Sequence, residues 1–162
     1  MLAVSVLALH CSGCGPRPSD AELIARFQSH RAQIDSLLDM IRQDKVLTRV
    51  DDNWTDPPDP AAVGIPPQRV TDYRQLVSAI GCPRGFIYNP QTGTITLVAW
   101  AVGLAASGTS RSKLFVFNPP NPTPLVVDLD AYRGYGEAYR RRGYADAYRH
   151  LEGQWYLEYV EN

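Results

Sequence analysis

Long apolar runs are missing from this chain. No stretch approaches the roughly 20 residues that a membrane-spanning helix needs, so no transmembrane segment is expected. Cysteine is scarce, with three in 162 residues, which excludes a disulfide-dense scaffold. An excess of one charge sign is missing too. The formal net charge is −1, so no global field recruits nucleic acid or an acidic membrane surface. No nucleophile–base set and no metal-ligand spacing stands out, and no cofactor or metal is expected. Charged residues make up 20% and apolar residues 44%, a balance that belongs to a folded globular chain rather than a disordered one. The length suits one domain with a proper core.

At the N-terminus, residues 2–9 form an apolar stretch of signal-peptide length, followed by Ser12-Gly13-Cys14. Two small residues directly before a cysteine resemble the lipobox of bacterial lipoproteins, whose cysteine is diacylated after cleavage. This reading predicts an N-terminally truncated signal peptide over 1–13, a lipidated tether over 14–18 and a globular domain over 19–162. Because each buried methylene contributes about 0.8 kcal/mol, two or three acyl chains on Cys14 would hold the domain at a membrane. Gly15 after the cysteine implies the outer membrane, facing the periplasm. Cys82 is then the remaining thiol, expected as a buried structural cysteine.

Ser19 and Glu22 form a capping-box pattern. Leu23, Ile24, Phe27, Ile34, Leu37, Leu38 and Ile41 follow at helical spacing, predicting one helix from Ser19 to about Asp44 with His30 along its stripe. Val46 to Val50 reads as a short strand. The acids Asp51, Asp52, Asp56 and Asp59 lack the spacing of a calcium loop and read as solvated loop charge. Trp54 borders a Pro-rich stretch over 57–67, which it can pack down or join in a binding groove. A second helix opens at Pro66 or Pro67 and stops at Gly81.

Beyond Gly81 the period changes to that of strands. Phe86 to Tyr88 and Thr94 to Val102 predict a hairpin, residues 103–112 a flexible loop, and Lys113 to Phe117 a further strand. Leu125 to Val127 is extended, and Glu152-Gly153 turns a closing hairpin into Trp155 to Val160. The expected fold is α+β, with two helices on an antiparallel sheet of about five strands.

Between these last segments Tyr132, Tyr135, Tyr139, Tyr144 and Tyr148 interleave with Arg133, Arg140, Arg141, Arg142 and Arg149. Tyrosine and arginine are enriched at binding hot spots, and five arginines here face only Glu137 and Asp146. The segment is the candidate binding surface, and an acidic protein or polyanionic envelope polymer is its natural partner.

The order of features is similar to that of a group of small bacterial lipoproteins, carried by Cys14, Phe27-x-x-His30, Trp54, Tyr73 to Leu76, Ser112-Lys113, Leu129-Asp130 and Gly153-Gln154-Trp155-Tyr156. That resemblance implies localisation and domain extent, not an activity. The expectation is an anchored protein-binding module, an immunity protein being one concrete form. The alternative is a hydrolase of an envelope polymer or anion, which needs His30, His150, Cys82 or the Asp pairs to converge in one cleft.

Overall fold

The computed structural model describes residues 16–104 and 109–162. The lipobox and Cys14 lie outside the described residues, as does the centre of the loop expected over 103–112. Among the described residues there are four α-helices and seven strands: α1 (Asp20–Ser29), α2 (Arg31–Gln43), β1 (Arg49–Val50), β2 (Thr55–Asp56), α3 (Pro67–Ala79), β3 (Phe86–Asn89), β4 (Thr94–Leu104), β5 (Thr109–Phe117), α4 (Tyr135–Arg142), β6 (Ala145–Glu152) and β7 (Trp155–Glu161). The strands form one antiparallel sheet in the order β2-β1-β3-β4-β5-β7-β6. The fold is α+β, with more elements than the two helices and five strands expected.

The long N-terminal helix is in fact two. Ser19 caps α1 through a complete capping box, its side chain accepting from the Glu22 N–H while the Glu22 carboxylate accepts from the Ser19 N–H. At His30 the backbone leaves helical geometry (φ −112°, ψ 22°) and α2 starts immediately. The His30 ring Nδ1 lies 2.9 Å from the Arg26 carbonyl, so the side chain competes for an acceptor of the last turn. The apolar stripe survives the break: Leu23 and Phe27 on α1, and Ile34, Leu37 and Ile41 on α2, are all buried.

These helices and α3 cover one face of the sheet. Phe27 sits 5.5 Å by ring centroids from both Phe115 and Trp155, and Tyr73 sits 5.0 Å from Phe86. Each such edge or tilted pair adds about 0.5–1.5 kcal/mol beyond its area. Trp155, Leu157 and Tyr159 share this buried face, as the alternation of the last strand predicts. Where α3 hands over to β3, Gly85 has φ +71°, and a Cβ there would lie 1.7 Å from the Val50 carbonyl oxygen. Only glycine fits that approach.

The opposite face carries Thr96, Val98, Leu114, Val116, Tyr156, Glu158, Tyr148 and His150, placed side by side by the strand registers. Val98 and Val116 are buried there outside the main core cluster.

One further expectation changes. Most of the flexible loop expected over 103–112 is strand, since Gly103 pairs with Ser110 and Leu104 with Thr109 across a long β4–β5 hairpin. The extended Leu125 to Val127 makes a single parallel bridge to Tyr148, with Val126 N–H donating to the Tyr148 carbonyl at 2.7 Å. That bridge covers the middle of β6, which is otherwise an edge.

Candidate functional site

The most tightly built charge cluster lies under the N-terminal end of α1. Lys113 projects from β5 on the same face as Phe115 and is fully buried. Its ammonium donates to Asp20 Oδ1 at 2.7 Å, Asp130 Oδ1 at 2.8 Å and the Pro18 carbonyl at 2.9 Å. Asp20 Oδ2 accepts from the Leu129 N–H at 2.8 Å and from Arg149 at 3.1 Å, and Asp130 Oδ2 accepts from the Asp20 N–H at 2.7 Å. Arg17 closes the outer side at 3.2 Å from Asp130. Partial burial opposes ionisation of Asp130. The Lys113 hydrogen bond, the Asp20 N–H and the charges of Lys113 and Arg17 outweigh it, holding its pKa below the ordinary 3.8.

Asp20, Asp128 and Asp130 come close enough to suggest a cation site. The ammonium of Lys113 already fills that role for two of them, and Asp128 Oδ1 accepts from the Asp130 and Ala131 N–H groups. The cluster is an internal clasp joining the segment before α1, the loop before α4, β5 and β6. It also takes in Arg17 and Pro18, the last residues expected in the tether.

The candidate surface divides on inspection. Tyr135 turns inward, donating to the Leu129 carbonyl at 3.2 Å and packing against Tyr132 and Tyr159. Burial, with the charges of Tyr159 and Asp20, raises its pKa above the ordinary 10. Arg149 belongs to the clasp. Tyr148 stands on the outer sheet face opposite Glu158, a half-buried position. Burial of Glu158, with the charge of Asp146, raises that carboxyl's pKa against the lowering effect of a Tyr148 hydrogen bond. Arg133, Arg140, Arg141, Arg142 and Tyr144 are exposed together at and around α4. Arg142 lies over the Tyr144 ring at 4.9 Å, and Arg141 and Arg142 make exposed pairs with Glu137 and Asp146. Tyr139 belongs to α4, and its side chain lies outside the description.

The residues a hydrolase would need stay apart. His30 bonds a main-chain carbonyl among the helices. His150 stacks on Tyr156 on the outer face of the sheet, its Nε2 3.0 Å from the Gly153 carbonyl. The sheet stands between them. Cys82 is fully buried, and that burial pushes its thiol pKa up to about 12, far from a reactive thiolate.

Asp51 corrects the reading of solvated loop acids. It is 2% exposed, accepts from Arg49 at 2.7 Å, and has Arg84 at 3.7 Å. Burial opposes its ionisation, but the Arg49 and Asp52 hydrogen bonds and the Arg49 charge depress its pKa. Beside it, Trp54 is 48% exposed and borders a cavity of about 570 Å³ between the Pro-rich loop and α3. Among the described residues no helix is long and apolar enough to cross a membrane.

The fold and these sites define an α+β chain with a single helix-covered sheet. No family model, no curated protein and no solved structure matches it.

Proposed function

We propose that this protein is a lipid-anchored module of the bacterial envelope that binds an acidic partner through the outer face of α4. The observation that carries the reading is the joint exposure of Arg140, Arg141, Arg142 and Tyr144, with Arg142 stacked on Tyr144. A guanidinium held over a ring presents a flat donor fork to carboxylates while keeping an apolar surface beside it. An exposed arginine face of this kind steers an acidic protein or polyanionic polymer and fixes register by bidentate contacts. An immunity protein for a toxin acting in the periplasm is one form of such a module.

The anchor half of the proposal rests on Ser12-Gly13-Cys14 after an apolar run. Cys14→Ser is expected to move the protein from the membrane fraction to the soluble fraction of the host cell. Mass spectrometry of the native protein should find acyl chains on an N-terminal Cys14. An unmodified Cys14 would contradict the anchor.

A further inference from the structure

Far from α4 in sequence, the turn between β1 and β2, the Pro-rich loop and α3 border the open cavity beside Trp54. Its three walls are rigid for separate reasons. In the turn, the Asp51 N–H donates to the Trp54 carbonyl at 2.9 Å, and Thr55 Oγ1 donates to the Pro57 carbonyl at 2.8 Å. In the loop, Asp59 Oδ1 caps a short 3-10 turn (Pro60–Val63) by accepting from the Ala61 N–H at 3.2 Å, and the Ile65 N–H returns to the Pro60 carbonyl at 3.0 Å. The third wall is one face of α3, where Pro67, Val70, Thr71 and Arg74 recur at helical spacing. A ligand entering such a preformed cavity loses little to loop ordering.

The lining chemistry narrows the ligand. Prolines, Ile65, Val70 and the half-exposed Trp54 supply apolar surface. The cavity carries one charge of each sign, Asp59 on the loop and Arg74 on the helix. Arg74 Nε donates to the Asp51 carbonyl at 3.0 Å, which fixes the guanidinium, and Arg74 has no ion-pair partner among the described residues. Trp54 is steadied from behind by Arg49, whose guanidinium lies 4.9 Å from the ring centroid. Volumes of about 300–1,000 Å³ hold ligands of drug-like size, and 570 Å³ falls within that range.

We infer that this cavity binds a short apolar peptide with free termini, its carboxylate on Arg74, its ammonium on Asp59 and a large side chain against Trp54. One charge of each sign in the lining of a single cavity, together with an aromatic ring, matches a zwitterion better than a simple anion or cation. The site is independent of the α4 face and of the lipid anchor.

The test is a titration of the intact protein, read by tryptophan emission and by calorimetry, with three probes: the dipeptide Leu-Phe, its C-terminal amide and its N-acetyl form. The free dipeptide should bind tightest, and each blocked form should lose roughly tenfold, the cost of one charge-assisted contact. Arg74→Gln should weaken the free dipeptide by a similar factor while leaving the amide unchanged. Asp59→Asn, which keeps the capping acceptor, should do the same for the N-acetyl comparison. The probe series on the parent protein stands whether or not a variant folds. Equal affinity for all three forms, or no saturable signal at millimolar dipeptide, would overturn the assignment.

Discussion

Arg149 and the run Arg140 to Arg142 come from one Tyr/Arg-rich segment, yet they have opposite fates. Arg149 follows the buried Ala145 and Ala147 along β6, and the pleat turns it under the sheet to meet Asp20. Arg140, Arg141 and Arg142 occupy the last turn of α4 and are exposed, while Ala138 of that helix is buried. Composition makes both groups look alike, and backbone period decides which becomes architecture and which remains surface. Charge inside the clasp is mutually satisfied and holds chain segments together. Charge on α4 is exposed, with Arg141 and Arg142 held only by surface pairs to Glu137 and Asp146 that a partner can displace.

Breaking the clasp should give the largest effect. Lys113→Ala removes the shared donor and leaves the buried Asp20 and the half-buried Asp130 without the ammonium between them. We expect a loss of about 3–5 kcal/mol in denaturant unfolding, the range for an orphaned buried ion pair. A loss below about 1 kcal/mol would mean that water replaces the ammonium there.

A smaller effect should appear with pH. The folded pKa of Asp130 lies below 3.8, so the unfolded state takes up its proton first as pH falls. Its contribution to stability is present above the unfolded value and is lost as pH drops through the folded one. Asp130→Asn should therefore flatten the acid limb of the stability curve below about pH 4, leaving the neutral region lower but level. An unchanged acid limb would separate Asp130 from the clasp.

The smallest stability effect belongs to the α4 face. Replacing Arg140, Arg141 and Arg142 by Ala breaks only exposed pairs and keeps good helix formers. The unfolding free energy should move by no more than about 1 kcal/mol. A larger loss would make these arginines part of the fold.

Much of the fold was legible because its signals are local. The capping box at Ser19, the helical stripe from Leu23 to Ile41, the Phe86–Val102 hairpin and the Trp155-Leu157-Tyr159 face each rest on short-range period or cap chemistry. The break at His30 was not legible, since a continuous apolar stripe conceals a side chain bonding its own helix. The helix α4 is not legible because Tyr135-Gly136-Glu137 opens it without a cap signal, and its arginine-rich last turn is exposed. The clasp depends on residues 17 to 149, a separation no local pattern reports. One signal for it did exist: Lys113 alternates in phase with Phe115 and Phe117, which places a lysine on the core face. The burial of Asp51 has a different cause: Arg49 is only two residues away on β1, but Arg84 reaches it from beyond α3, and a run of loop acids gives no sign of either contact.

The central claim is that the exposed end of α4 is a contact surface while its chemically similar neighbour Arg149 is not. The most direct measurement places a photoreactive amino acid at Tyr144 in the otherwise intact protein, in its host cell, and irradiates it. The account predicts one discrete acidic adduct, lost when Arg140, Arg141 and Arg142 are replaced by Ala. An adduct that persists in that triple variant, or no adduct from Tyr144 at all, would contradict it.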